Sequence, residues 1–182
     1  SAIIIQGRLY DSQNSKTAEI GHYIVEKDGK QCRCGRKGCL ETKVATHAIA
    51  EQVRAACTEE TMPQLCRLME GDPNRIEARN ISEWIETEDE GLGRVLDDII
   101  EQLARVAVNT ITLLAPDKVI IYGEMFSHPR VEERFLHFCS HYDASYHGGY
   151  IVKSELSDRI EYIGPLAVAV NELFLLAGSQ ED

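Results

Sequence analysis

The chain has 182 residues, of which 43% are hydrophobic and 27% charged, a composition that suits one globular domain with a sizeable core. Its net charge is -11, from 30 acidic residues against 19 Lys and Arg, and a surface this acidic disfavours direct binding to nucleic acid. No stretch approaches the roughly 20 apolar residues of a membrane span, and no signal peptide opens the chain, so we expect a cytoplasmic protein without membrane contact.

Short strand-like runs and turns alternate in the N-terminal residues, which predicts a β-hairpin at the start of the chain. Apolar residues 2–5 lead through a turn at Gly7 into residues 8–10, the expected returning strand. Residues 23–25 form a further β-like run that is bounded by a turn. This second turn is expected to bring His22 close to residues 32–39.

Helical spacing of apolar residues dominates the middle of the chain. It predicts helices over residues 43–57, 62–69 and 76–85, and a longer helix over residues 93–114 that ends at Pro116. The longest of these carries its apolar residues on one face, as expected of a helix that packs on a core.

Strands and helices alternate again toward the C-terminus. Residues 118–122 and 150–152 have the character of short buried strands, and residues 160–163 are a further candidate strand. Helical patterning covers residues 131–141 and 165–176. Because no internal repeat or low-complexity tract interrupts this order, the sequence predicts an α/β fold with a mixed sheet.

Three of the six cysteines form a tight cluster, Cys32, Cys34 and Cys39, and His22 stands shortly ahead of them. Three thiolates and one imidazole match the donor set of closed structural zinc sites, and Gly35 supplies a permissive backbone for the turn between the cysteines. The pattern therefore predicts a zinc site, with a disulfide or reduced free thiols as the other interpretations.

We predict no metal-binding role for the other cysteines or for the basic residues of this loop. The loop's basic residues are expected to be a solvated surface, with contact to a partner protein as the other interpretation: Arg33, Arg36 and Lys37. The other cysteines lie in predicted helices and are expected to be small buried hydrophobic residues: Cys57, Cys66 and Cys139.

Two motifs carry a resemblance to a known family. Residues 19–22 read Glu-x-Gly-His, and residues 32–41 read Cys-x-Cys-Gly-x-x-Gly-Cys-Leu-Glu. Both motifs and their separation resemble the signature of the ROK family of repressors, open reading frames and sugar kinases. Looser similarity continues through residues 118–123 and 164–167, so the resemblance covers nearly the whole chain. It implies an actin-like, ribonuclease-H-like α/β fold that binds sugar in a cleft between two lobes.

The resemblance also implies which residues contact the sugar. They are Glu19, His22 and Glu41, and carboxylates suit the task because sugar hydroxyls donate charge-assisted hydrogen bonds to them. Zinc would hold one ring nitrogen of His22 and leave the other to donate toward the sugar. A solvated acid is the competing interpretation for Glu19. Glu41 could equally complement the dipole of a following helix.

Family members begin with a lobe that carries a Gly-rich phosphate loop and, in kinases, a general-base Asp. Neither segment is found in residues 1–182, which we interpret as a single C-terminal lobe whose N-terminal lobe and any DNA-binding domain lie elsewhere. No catalytic residue is assigned to this lobe, and by itself it is expected not to transfer phosphate.

Two functions then compete. The first is the sugar-sensing effector and oligomerisation lobe of a transcriptional repressor, binding a sugar or sugar phosphate as a homodimer or homotetramer and contacting DNA through an N-terminal domain. The second is the lobe of a sugar kinase that uses ATP. Family kinases typically carry a Gly-Gly pair after the strand at 118–122, where this chain has Tyr122-Gly123-Glu124. That departure favours the repressor. A zinc hydrolase is disfavoured because four protein ligands leave no open metal position.

Overall fold

The computed structural model describes residues 1–10, 17–77, 81–144 and 149–154. Its strands are β1 (Ile4–Ile5), β2 (Arg8–Leu9), β3 (Val119–Ile121) and β4 (Ile151–Lys153). Its α-helices are α1 (Glu41–Val44), α2 (Thr46–Ala56), α3 (Pro63–Leu68), α4 (Ile81–Ile85), α5 (Glu90–Leu114), α6 (Glu124–Ser127) and α7 (Pro129–Tyr142). Short 3-10 turns cover Ile20–His22 and Pro73–Arg75. Within these ranges no helix is both long and apolar enough to cross a bilayer.

The described strands form two separate pairs. Strands β1 and β2 make the predicted antiparallel hairpin, with Ile4 opposite Leu9. Strands β3 and β4 pair in parallel, with Val119 opposite Ile151, and helices α6 and α7 lie between them in the chain. A parallel pair needs such a crossover connection, so this half of the chain confirms the predicted alternation of strands and helices. The described strands form one antiparallel and one parallel pair, whereas the sequence predicted a mixed sheet.

A core of helices surrounds the long helix α5, which packs against α7 and α2. The largest buried side chains of this core include Trp84 and Phe135. The Phe135 ring meets the Phe126 ring edge-on, with 5.2 Å between the ring centroids. The side chain of Arg134 on α7 also donates two hydrogen bonds to the Asp97 carboxylate on α5, at 2.8 and 2.6 Å. The buried face of α5 recurs at helical spacing: Leu92, Leu96, Ile99, Ile100, Ala104 and Val108.

Helix α3 takes its N-terminal cap from a distant residue. The preceding residue, Met62, provides no side-chain hydrogen bond, and Pro63 occupies the first turn. Instead the buried Asp89 carboxylate accepts from the N–H of Gln64 at 3.1 Å and from the N–H of Leu65 at 2.7 Å. This carboxylate therefore satisfies two free N–H groups and complements the helix dipole.

Several element boundaries differ from the predictions. The residues predicted as one helix over 43–57 form α1 and α2, because Ala45 has extended backbone angles (φ -64, ψ 142). The helix predicted over 76–85 does not begin at Ile76, which is extended after the 3-10 turn that starts at Pro73. Helix α5 begins three positions earlier than predicted, and α6 was not predicted, since four residues are too few to show a period.

The run at residues 23–25 is not a strand. Ile24 makes a single antiparallel bridge with Cys39 and no longer ladder, since the chain reaches this point from a 3-10 turn. The predicted strand at 160–163 and the predicted helix at 165–176 lie outside the described residues.

Candidate sugar and metal site

The loop before α1 folds back on itself through backbone hydrogen bonds. The N–H of Val25 donates to the carbonyl of Gly38 at 2.9 Å, and the N–H of Leu40 donates to the carbonyl of Tyr23 at 2.8 Å. These bonds set the end of the 3-10 turn, His22, beside the cysteine loop. The predicted return of this histidine thus occurs by bridging rather than by a strand.

The cysteine loop turns tightly at two glycines. The N–H of Cys32 donates to the carbonyl of Arg36 at 2.8 Å, and the N–H of Gly35 donates to the carbonyl of Cys32 at 3.0 Å. Gly35 and Gly38 both have left-handed backbone angles, with φ of +87 and +70. A Cβ at Gly38 would lie 1.8 Å from the carbonyl oxygen of Glu26, so the close approach of the two chain segments requires glycine there.

The fold brings together all four predicted metal ligands, His22, Cys32, Cys34 and Cys39. One potential donor atom from each lies within 4.8 Å of the others. Nδ1 of His22 is 3.7 Å from Sγ of Cys32, and Sγ of Cys34 is 3.6 Å from Sγ of Cys39. Zinc bonds of about 2.0 to 2.3 Å place tetrahedral ligand atoms roughly 3.5 to 3.8 Å apart. The donor set and its spacing therefore fit one tetrahedral ion.

The pKa values of two thiols in the cluster are shifted in opposite directions. A hydrogen bond from the side chain of Arg36, with a second from its backbone, lowers the pKa of the exposed Cys34 thiol to about 6. Burial raises the pKa of Cys39 to about 11, and the neighbouring Cys34 and Cys32 sulfurs add to this rise. The cluster thus contains one thiol that ionises readily and one whose ionisation needs a compensating positive charge.

The three predicted sugar contacts lie together, with the two carboxylates on either side of the histidine. Nε2 of His22 faces Oε2 of Glu19 at 3.8 Å, while Nδ1 of His22 lies 3.2 Å from Oε2 of Glu41. Glu41 is the first residue of α1 and Glu19 immediately precedes the 3-10 turn. One imidazole therefore has its two nitrogens on opposite sides, with Nδ1 toward the thiols and Nε2 toward Glu19.

An arginine that sequence reasoning treated as part of a solvated loop belongs to this site. Nη2 of Arg33 lies 2.7 Å from Oε1 of Glu41, although most of the Arg33 side chain remains exposed. Arg36 likewise contacts Cys34. Both residues are exposed, as predicted, and they also contact the site, which the sequence interpretation did not foresee. The only sequence signal was the position of both between the cysteines.

The single glycine after β3 has an unusual backbone. Gly123 has φ +134 and directly precedes α6, which Glu124 opens. The side chain of Tyr122 beside it is 60% exposed. Gly123 is therefore flanked by an exposed tyrosine and by Glu124, in the segment where family kinases are expected to carry a Gly-Gly pair.

A family model described as the ROK family matches residues 1–171. The chain belongs to the ROK family. This confirms the resemblance carried by the two motifs at residues 19–22 and 32–41.

ROK proteins with a curated name divide between regulators and kinases. The chain is 30% identical over 130 residues to the DNA-binding transcriptional dual regulator NagC of Escherichia coli, a match that covers 69% of this chain and 29% of NagC. It is 28% identical over 121 residues to the glucokinase of Thermotoga maritima, covering 66% of this chain and 38% of that protein. The chain thus matches well under half the length of these curated ROK relatives.

Solved ROK structures show the same fold. A ROK family glucokinase from Streptomyces griseus in complex with glucose and AMPPNP superposes with a TM-score of 0.79 at 22% identity, covering 92% of this chain and 55% of that one. A ROK family transcriptional regulator, a homolog of the E. coli MLC protein, gives a TM-score of 0.60 at 24% identity, covering 87% and 39%. The mixed α/β architecture is therefore that of ROK sugar kinases, whose fold is actin-like.

Proposed function

We propose that this chain is the sugar-sensing, zinc-containing effector and oligomerisation lobe of a ROK-type transcriptional regulator. The observation that carries the proposal is the arrangement around His22, whose nitrogens face the thiol cluster on one side and Glu19 on the other. Residues 1–182 would form a single lobe of a longer protein that is a homodimer or homotetramer and contacts DNA through a separate N-terminal domain.

Zinc would be held by His22, Cys32, Cys34 and Cys39. Four protein ligands complete a tetrahedral shell, so the ion supplies structural rigidity and leaves no position for a reactive water. With Nδ1 directed to the ion, the proton of the imidazole resides on Nε2. His22 would then present a fixed N–H donor on the side of Glu19.

A neutral sugar fits the remaining chemistry of this site. The carboxylates of Glu19 and Glu41 accept hydrogen bonds from hydroxyl groups, and Nε2 of His22 donates one. Arg33 already neutralises one oxygen of Glu41, which lowers the cost of placing two carboxylates around one ligand. We infer that sugar binding alters the closure of the lobes and that the oligomer transmits this change to the DNA-binding domains, which requires different sugar affinity in the two states.

The choice of a regulator is supported by the surroundings of Gly123 and by the similarity to NagC. Gly123 is flanked by the exposed Tyr122 and by Glu124, and a bulky ring and a carboxylate would both oppose the approach of a nucleotide to the backbone. The alternative is the C-terminal lobe of an ATP-dependent sugar kinase. It is favoured by the superposition on a glucokinase in complex with glucose and AMPPNP.

A coupled ATP-consumption assay on the intact protein separates the two functions. Glucose, fructose, N-acetylglucosamine and N-acetylmannosamine serve as substrates, and isothermal titration calorimetry measures their binding without ATP. We expect one of these sugars to bind with no sugar-dependent ATP consumption. Turnover with any sugar would establish the kinase, and binding of none of them would contradict the sugar site itself.

A further inference from the structure

Two cysteines outside the metal cluster lie side by side. Cys57 follows the C-terminus of α2 and Cys66 lies within α3, and their sulfur atoms are 3.2 Å apart. Cys57 and the more distant Cys139 are buried as predicted, whereas Cys66 is half-buried. The prediction of small buried hydrophobic residues is therefore confirmed for Cys57 and Cys139, whereas Cys66 is only half-buried and adjoins Cys57.

We propose that Cys57 and Cys66 form a reversible disulfide that joins the end of α2 to α3. A disulfide needs two sulfurs about 2.05 Å apart, so closure requires the present sulfur atoms to approach by little more than 1 Å. A bond here would close the segment between α2 and α3. That segment also contains Thr61, whose carbonyl accepts a hydrogen bond from the N–H of Gly91 on α5. The disulfide would thus restrain the segment that forms this hydrogen bond with α5.

The oxidant is a low-molecular-weight disulfide, such as oxidised glutathione. The thiolate of Cys66 attacks one sulfur of the oxidant, breaking its S–S bond and releasing one glutathione thiolate. The thiolate of Cys57 then attacks the Cys66 sulfur and releases the second glutathione. The two cysteines lose two electrons and two protons, and the oxidant becomes two thiols.

Accessibility fixes the order of these two steps. Cys66 is half-buried and can be reached first, whereas burial raises the pKa of Cys57 to about 12, with neighbouring Cys66 and Asp89 adding to the rise. A thiol of this kind reacts poorly with an external oxidant. It acts instead on a sulfur already held beside it, where the reaction is intramolecular.

The sequence around the pair gives a direct mass-spectrometric test. Arg54 and Arg67 are the trypsin sites that flank both cysteines, so Cys57 and Cys66 share one tryptic peptide. Glu59 and Glu60 lie between them, so a glutamyl endopeptidase splits that peptide into two parts that remain joined only if the disulfide is present. The full-length protein is first saturated with zinc to protect its other thiols, then incubated with oxidised glutathione, and free thiols are blocked before digestion.

We expect the oxidised tryptic peptide to be about 2 Da lighter than the same peptide with two free thiols, corresponding to the loss of two hydrogen atoms. After cleavage by the glutamyl endopeptidase, its two parts should separate only when the disulfide is reduced. The variant C57S should stop at a stable glutathione adduct on Cys66, and C66S should form neither product. A peptide that stays fully reduced, or that keeps glutathione on Cys66 in the unaltered protein, would overturn the proposal. Because the unaltered protein supplies the deciding measurement, the test stands even if either variant folds poorly.

Discussion

Nδ1 of His22 lies 3.2 Å from Oε2 of Glu41 and 3.7 Å from Sγ of Cys32. One nitrogen therefore faces both a predicted sugar-binding carboxylate and the proposed metal position. A metal ion on Nδ1 removes the proton that this nitrogen would otherwise donate to Glu41. Occupation of the thiol cluster and availability of Glu41 for a ligand are consequently linked.

Removal of the metal is expected to weaken sugar binding. Without the ion, Nδ1 of His22 can donate to Glu41 and the imidazole loses its fixed orientation. Titration calorimetry before and after dialysis against a chelator should show a loss of roughly 10- to 100-fold in affinity, the usual range for disturbed metal-site neighbours. Re-addition of zinc should restore it. Equal affinity in both forms would separate the metal from the sugar site.

The substitution Cys34→Ser is expected to abolish stoichiometric zinc binding and to lower the melting temperature, because metal binding contributes to folding free energy. Elemental analysis and thermal unfolding measure the two effects. Cys66→Ser, which changes a half-buried thiol outside the cluster, should keep its full zinc content. Retention of about one zinc per chain by the Cys34 variant would remove this residue from the ligand set.

The substitution Glu41→Gln is expected to weaken sugar binding by roughly 10- to 100-fold, since a hydrogen bond to a charged group contributes about 1.5 to 3 kcal/mol. The matched control is Glu51→Gln, which removes an exposed carboxylate that pairs with Lys30. Calorimetry on both variants should find normal affinity for the control alone. Normal affinity in the Glu41 variant would favour its other interpretation, a helix N-terminal acid.

Two glycines of the cysteine loop provide a matched pair. Gly38→Ala places a Cβ 1.8 Å from the carbonyl oxygen of Glu26, so we expect loss of zinc and destabilisation by several kcal/mol. Gly35→Ala meets no atom within 4 Å among the described residues and should cost only about 1 to 2 kcal/mol of left-handed strain. Chemical denaturation and zinc analysis compare the two. Equal effects would show that the close approach at Gly38 is not rigid.

The buried cap of α3 gives a prediction on stability. Asp89→Ala leaves the N–H groups of Gln64 and Leu65 without their carboxylate acceptor and should lower the free energy of unfolding by about 1 to 3 kcal/mol. Its neighbour Glu90 forms an exposed ion pair with Arg94. Glu90→Ala is therefore expected to change stability by less than about 1 kcal/mol. Urea unfolding of both variants tests the contrast.

Features that leave a repeating pattern or a motif in the sequence were predictable from it. The apolar spacing along α5 gave a helix correctly because burial on one face imposes a period. The run at β3 gave a strand correctly, but the prediction that it is buried was wrong, since Ile120 is 64% exposed. The cluster of His22 and three cysteines was predictable because its donor types and short separations match those of known metal sites.

Features that depend on tertiary contact were not predictable from pattern. The cap by Asp89 joins residues some 24 positions apart, and neither end of that contact has a local signature. The same is true of Arg33, which reaches Glu41 only because the loop turns back at Gly35 and Gly38. The pairing of Cys57 with Cys66 required knowledge of how α2 and α3 meet.

The cysteine loop is held by its main chain, through hydrogen bonds such as that from the N–H of Cys32 to the carbonyl of Arg36. Apart from the glycines required at positions 35 and 38, such bonds do not depend on the side chains between the ligands. Positions 33, 36 and 37 can therefore change in charge or size while the metal ligands keep their places. Proteins that share this loop could therefore differ in ligand preference through substitutions at positions 33, 36 and 37, while the backbone hydrogen bonds that hold the loop stay the same.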